Sequence, residues 1–159
     1  LRIPDLICRV NHALEHSAET QLKQHSLTIE QFRVLTVLSE TNGISMGALS
    51  ASICVDSPTL TKLIDRMINT ADVYRGPDPR DRRKVLVFIS NKGLKTYEAL
   101  ADIHRQQQDM LSEALGEQRL EVLETLLNDT LRAIKVESGQ YRSTLENGEL
   151  NDAKPTRLS

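Results

Sequence analysis

The apolar periods of this chain predict a mainly α fold with one small β-hairpin. Three observations carry that expectation. Apolar residues recur at helical spacing through most of the 159 residues. Residues 45–70 read as a helix, a tight turn and a second helix. The apolar run Val85 to Ile89 follows a strongly basic stretch, which reads as two strands around a cationic loop. Strands flanking a basic loop after a helix-turn-helix make a winged helix-turn-helix, here with N- and C-terminal helices left over for dimerisation.

The first element is a long amphipathic helix over residues 1–23. Ile3, Leu6, Ile7, Val10, Leu14, Ala18 and Leu22 share one stripe and are expected to be buried. The other side collects Cys8, His12, Glu15, His16 and Glu19. Cys8, His12 and His16 stand at i, i+4 and i+8, so two neighbours could hold a transition metal ion. A helical pair supplies only half a zinc site, and no second motif supplies the rest. A solvated or subunit-facing polar surface is the plainer reading, and no metal or cofactor is expected.

Thr28 with Gln31 forms a capping box for the second helix, whose core stripe is Ile29, Phe32, Leu35 and Leu38. Asn42-Gly43 is a turn. Ser45 caps a short helix carrying Leu49 and Ile53, whose N-terminus can offer N–H groups to a phosphate. Cys54, at the following turn, reads as a small buried hydrophobe.

The next helix opens at Asp56-Ser57-Pro58, with Ser57 suited to the N-cap and Pro58 to the first helical position. Leu60, Leu63, Ile64 and Met67 make its buried face. Thr59, Lys62, Arg66 and Asn69 make the opposite one, with groups able to reach base edges and phosphates. Thr59 and Lys62 are assigned to the bases and Arg66 to a phosphate. Thr61 is expected to brace the backbone, and Asp65 to pair with a neighbouring cation such as Lys62 or Arg66.

Net charge is −2, so bulk charge does not announce nucleic acid. Local charge does: Arg75, Arg80, Arg82, Arg83 and Lys84 face only Asp78 and Asp81, about +3 over the wing. Aromatic residues are 3% of the chain with no Trp, which argues against single-strand binding by base stacking. Pro77 and Pro79 stiffen the loop. Double-stranded DNA is therefore the expected partner.

After Gly93 a single helix is expected to about Leu115, packing through Leu94, Tyr97, Leu100, His104, Met110 and Leu111. Gly116 breaks it. A last helix runs from Glu117 to about Val136, with Leu120, Leu123, Leu127 and Ile134 as a seam. These helices and the first have apolar faces with no partner inside the winged helix, which argues for a homodimer reading a roughly palindromic site. The expected organisation is one domain over 1–137, with the winged helix at about 28–90 and dimerisation helices at about 1–24 and 91–137. A polar tail, 138–159, follows; its composition alone suggests disorder, with Leu145, Leu150 and Leu158 as its few anchors.

The segment Asp81-Arg82-Arg83-Lys84-Val85-Leu86-Val87-Phe88-Ile89-Ser90-Asn91-Lys92-Gly93 resembles the wing signature of the bacterial MarR-type transcriptional regulators. That signature has an Asp, an Arg two residues on, alternating apolar positions, a hydroxyl residue and a Gly three further. The resemblance runs from about residue 6 to 134 through the order of helices, though only the wing and recognition helix are specific. It implies that Ser57, Pro58, Thr59, Lys62 and Arg66 occupy DNA-contacting positions, and that Asp81 braces an Arg83 which enters the minor groove. Ser45, Arg75, Arg80, Arg82 and Lys84 join them as candidate DNA contacts. Three positions depart from the family's pattern. Ala71-Asp72 stands where Gly-Leu is usual, and since Ala resists the left-handed conformation the turn is expected to be built differently. Ser90 replaces the commoner Thr.

The resemblance further implies a repressor, less often an activator, that responds to a small effector at the junction of dimerisation helices and winged helix. Arg9, His12 and Arg33 are the candidate effector residues. Some relatives sense metals or peroxide, the latter through a first-helix Cys near tyrosines, but this chain has no Tyr before Tyr74. An interaction-only winged helix without DNA binding is a further alternative, against which the basic wing argues. No Ser-His-Asp pattern, P-loop or Rossmann glycine motif is present, so no enzyme is expected. Cys8 and Cys54 form no CxxC pair, and neither a secretory signal nor a run of 18 apolar residues occurs. A reducing, cytoplasmic setting without a membrane is expected.

Overall fold

The computed structural model describes residues 2–146, with side chains through residue 134. The chain separates into two compact units after Gln108. The first holds α1 (Ile3–Gln24), α2 (Ile29–Ser39), α3 (Met46–Ile53), α4 (Ser57–Asn69), β1 (Val73–Pro77), β2 (Val85–Ile89) and α5 (Asn91–Leu100). α6 (Asp102–Leu115) begins in this unit, and α7 (Glu117–Glu146) lies in the second. The fold is thus mainly helical with one two-stranded antiparallel hairpin, as the sequence predicts.

α2 organises the first unit because it is apolar on more than one side. Val34, Leu35 and Leu38 face one core, with Leu49 and Ile53 of α3, Leu60, Leu63, Ile64 and Met67 of α4, and Val73 and Val87 of the hairpin. Phe32 faces another, with Ala18 and Leu22 of α1, Leu100 and Ile103. The expected capping box is present: the Thr28 hydroxyl accepts the Gln31 N–H, and the Gln31 side chain accepts the Thr28 N–H. Two orphan donors of the helix start are satisfied at once.

The hairpin pairs Val73 with Ile89 and Pro77 with Val85. Val87 alone of β2 is fully buried, and its N–H and C=O are both bonded to Ile44, which acts as a one-residue third strand. Gly43 makes that possible. Its φ is +88°, and a Cβ there would lie 2.4 Å from the Phe88 ring. The turn between α2 and α3 is thereby seated on the wing, and Phe88 stacks on Tyr74 on the cross-strand pair.

Several expectations are corrected. The residue in the N-cap of α4 is Asp56, not Ser57, which is the first helical residue. A carboxylate reaches the third N–H of the helix as well as a hydroxyl does, and sequence could not rank the two neighbours. Ala71 does adopt the left-handed conformation, φ +60°, so the turn keeps the shape that glycine would have had. Cys54 is exposed rather than buried and is itself the left-handed C-cap of α3, φ +56°. The helix expected over 93–115 breaks at Ala101, whose N–H bonds to Glu98 O instead of continuing the ladder, and nothing in the propensity of Ala marks that site. Leu94 and Met110, expected to pack, are exposed. Of the α1 stripe only Ala18 and Leu22 are buried; Ile3, Leu6, Ile7 and Val10 are exposed.

In the second unit α7 starts after Gly116, whose φ of +75° ends the preceding helix. It continues past the expected end near Val136 to Glu146, through a stretch with no proline and a single glycine. Val122, Leu126, Leu127, Leu131 and Ile134 are all exposed on it. The remaining tail, with Leu150, Leu158 and the 147–148 breaker, lies outside the described residues, as does the Leu145 side chain. Among the described residues no helix is long and apolar enough to cross a membrane.

Candidate nucleic-acid interface

The interface is assembled from the outer ends of three pieces: the start of α3, the first turns of α4, and the loop between β1 and β2. α3 begins at Ser45, whose hydroxyl accepts the Ala48 N–H at 3.2 Å. Gly47 in its first turn has open space on its side-chain side, so this helix start is unobstructed. Between α3 and α4 the chain reverses through the left-handed Cys54, held by the Val55 N–H to Ser50 O at 3.2 Å.

Asp56 then organises the start of α4. Its Oδ1 accepts the Thr59 N–H at 2.9 Å and its Oδ2 the Thr59 hydroxyl at 3.0 Å. These bonds from Thr59, with a smaller contribution from the Lys62 charge, hold the Asp56 carboxyl below its ordinary range. Thr59 is therefore both a predicted base contact and part of the cap. Ser57 and Pro58 occupy the first two helical positions, exposed, and Thr61 Oγ1 donates back to Ser57 O at 2.9 Å, the expected brace. Lys62 and Arg66 are exposed one turn apart, and among the described residues neither is ion-paired.

The expected partner of Asp65 is corrected. It accepts Arg75 Nη2 at 2.8 Å rather than Lys62 or Arg66, because Arg75 projects from β1 across the helix face. This pair ties the wing to the recognition helix and leaves Lys62 and Arg66 free. It also commits Arg75, a predicted DNA contact, to a carboxylate.

The wing loop is folded on its two aspartates. Asp78 N–H donates to Lys84 O and Lys84 N–H to Asp81 O, both at 2.9 Å, closing the loop across itself. Asp78 Oδ1 accepts the Arg80 N–H at 2.8 Å. Asp81 Oδ1 accepts both the Arg83 N–H at 3.2 Å and Arg83 Nε at 3.1 Å. The Arg83 side chain is 91% exposed against 31% for Asp81, so the carboxylate is seated and the guanidinium projects from it. Arg80, Arg82 and Lys84 are exposed beside it, with no carboxylate partner among the described residues. A polar cavity of about 430 Å³ separates the loop from the α3 start, with Ser45, Arg80 and Lys84 on its walls.

The effector candidates are not brought together. Arg33 bonds Glu15 and, at 3.5 Å, Asn11, and it lines a cavity of about 580 Å³ with Asn11, Thr36, Val37, Ile53 and His104. Arg9 and His12 lie along α1 in a separate shallow groove with Cys8 and His16. Sequence reading missed His104 there. Its Nε2 is 3.1 Å from Thr36 Oγ1, which already donates to Phe32 O at 3.0 Å. No group of three metal-binding side chains occurs among the described residues.

A MarR family model matches residues 27–85 of this chain. The chain is 37% identical over 82 residues to the HTH-type transcriptional regulator TtmR of Methylorubrum extorquens, covering 52% of this chain and 42% of that protein. The chain thus spans less than half the length of that relative. It is 27% identical over 106 residues to the HTH-type transcriptional regulator FarR of Neisseria gonorrhoeae, covering 67% of this chain and 73% of FarR. Among solved structures, a mutant MarR from E. coli complexed with operator DNA superposes with a TM-score of 0.70 at 29% identity. That match covers 81% of this chain and 94% of the other.

Proposed function

From the premise that this chain belongs to the MarR family of transcriptional regulators, we propose that it binds double-stranded DNA sequence-specifically, as a homodimer, and acts as an effector-responsive repressor. The observation that carries the DNA reading is the division of labour among cations. Arg75 is tied to Asp65 and Arg83 is aimed by Asp81, whereas Lys62, Arg66, Arg80, Arg82 and Lys84 have no carboxylate partner among the described residues. Unpaired cations on one recognition helix and one wing are what phosphate contact needs. The exposed start of α4 suits a major groove, and a braced, projecting Arg suits a narrow minor groove.

In this reading Ser57, Pro58, Thr59 and Lys62 meet the major groove, Arg66 and the α3 start at Ser45 meet phosphates, and Arg83 enters the minor groove. Arg80, Arg82 and Lys84 lie along the backbone. Arg75 serves as a strut. The cavity at Arg33 and His104 is the effector site we favour over the Arg9 and His12 groove, because it is the larger and sets Val37 and Ile53 beside its polar groups. An effector there would shift DNA affinity only by binding two states unequally.

The test is fluorescence anisotropy with duplex DNA from upstream of the gene, against a scrambled duplex, across several salt concentrations. Preference for the native duplex, weakening with salt and collapsing in Arg83→Ala, is expected. A stable dimer that binds neither duplex would refute the reading.

A further inference from the structure

The junction between α4, the wing and α5 is closed by an ion pair at the position where the chain departs from its family. Asp72 is buried, 5% exposed, immediately before β1. Its Oδ1 accepts Lys92 Nζ at 2.8 Å and its Oδ2 accepts the Thr70 hydroxyl. Lys92 Nζ also donates to Thr70 O. Thr70 caps the end of α4, Asp72 leads into β1, and Lys92 lies in the first turn of α5, so one small network joins three elements. The backbone repeats the pattern: Ser90 Oγ donates to Ala71 O at 2.6 Å, and the Ser90 N–H to Asp72 O at 3.0 Å.

The cation is poorly placed by local rules. A lysine in the first turn of a helix opposes the positive end of the helix dipole. More than half of its side chain is exposed, so burial does not hold it either; the buried carboxylate does. A buried charge needs its partner, and here the partner comes from another element.

We infer that Asp72 and Lys92 are positioning residues that latch the base of the wing to α5, and so set the pitch at which Arg83 is presented. The wing then has two anchors, Asp72 at its root and Arg75 on Asp65 midway along β1, one to α5 and one to the recognition helix. A displacement of α5 is transmitted to the wing through the first anchor and resisted by the second. The DNA role of this latch rests on the DNA-binding reading above.

The test uses the full chain with Asp72→Asn alone and with Asp72→Asn combined with Lys92→Met, a neutral pair of similar volume that leaves no buried charge unpaired. Amide hydrogen exchange reads the latch without DNA. Exchange across β1 and β2 should accelerate by about fivefold or more, with the cores of α2 and α4 unchanged. Unchanged wing exchange overturns the latch. Anisotropy on the upstream duplex reads its use. Both variants should weaken binding about three- to tenfold with the native wing, and less than about twofold in an Arg83→Ala background read at low salt, where the remaining cations still hold the duplex, because coupled residues are not additive. Equal losses in both backgrounds, or wild-type affinity in Asp72→Asn, would overturn the positioning role; wild-type affinity in Asp72→Asn with a loss only once Lys92→Met is added would make Lys92 a phosphate contact in its own right. Should the wild-type chain ignore every duplex, the DNA reading fails on its own control while hydrogen exchange still judges the latch.

Discussion

Ala71 shows how a single residue can conflict with its site and still adopt the required geometry. Left-handed φ costs an alanine roughly 1–2 kcal/mol. Replacing it by glycine adds back roughly 0.4–1 kcal/mol through the freer unfolded chain. The strain is the larger quantity, so Ala71→Gly should stabilise the protein by about 0.5–1 kcal/mol, read as a higher denaturant midpoint at constant slope. Gly93 is the opposite case. A Cβ there would lie 2.1 Å from Asp72 O, a backbone atom already accepting the Ser90 N–H. Gly93→Ala should cost at least about 3 kcal/mol or prevent folding, seen in the same denaturation curves. Lys62, exposed and unpaired, belongs to function rather than stability. Lys62→Ala should leave the melting temperature unchanged while weakening binding and relaxing base preference at its position; uniform weakening with a salt slope lower by about one would move Lys62 from the bases to a phosphate.

At the scale of elements, the recognition helix depends on its cap. The Asp56 carboxyl is held below its ordinary range by Thr59, so its folded pKa is lower than its unfolded value near ~3.9. Such a group stabilises the fold above the unfolded value, and the contribution is lost as pH falls through the folded one. Asp56→Ala should therefore lower the thermal midpoint at pH 7 by roughly 2–4 °C. The gap between wild type and variant should close as pH drops below about 4. A gap that persists in acid would mean the cap acts through packing instead. Asp56-Ser57-Pro58 announced a helix start in sequence, but three consecutive residues compatible with a start leave the phase open by one. Only the backbone path, set by the Cys54 turn, chose Asp56.

For the whole molecule, each unit exposes apolar side chains that a solitary chain would be expected to cover. Ile3 is 67% exposed on α1, and Leu126 and Leu131 are 59% and 55% exposed on α7. Burying such residues contributes about 1.5–3 kcal/mol each, enough together to sustain an obligate dimer. Sedimentation should find a homodimer. Leu126→Glu with Leu131→Glu should shift it toward monomer and, by separating the two recognition helices, weaken DNA binding at least about tenfold. A wild-type monomer at micromolar concentration would overturn this reading.

The starts of α2 and α3, the hairpin, the basic wing and the core face of α4 were determined by the sequence itself, because they rest on local chemistry: a hydroxyl three residues before its N–H, an apolar period, charge density in a loop. The Asp81–Arg83 brace was implied by the family resemblance, and its two residues meet on one turn. What tertiary structure decided are pairings across elements. Arg75 found Asp65 ten residues away, Lys92 found Asp72, and Arg33 found Glu15 in place of a site shared with Arg9 and His12. A charged side chain in sequence has many equally plausible partners, and its choice depends on which helix faces the packed core has already committed. The fold is legible because periodicity is local; the partners of its charges are not, because they are set only when the elements meet.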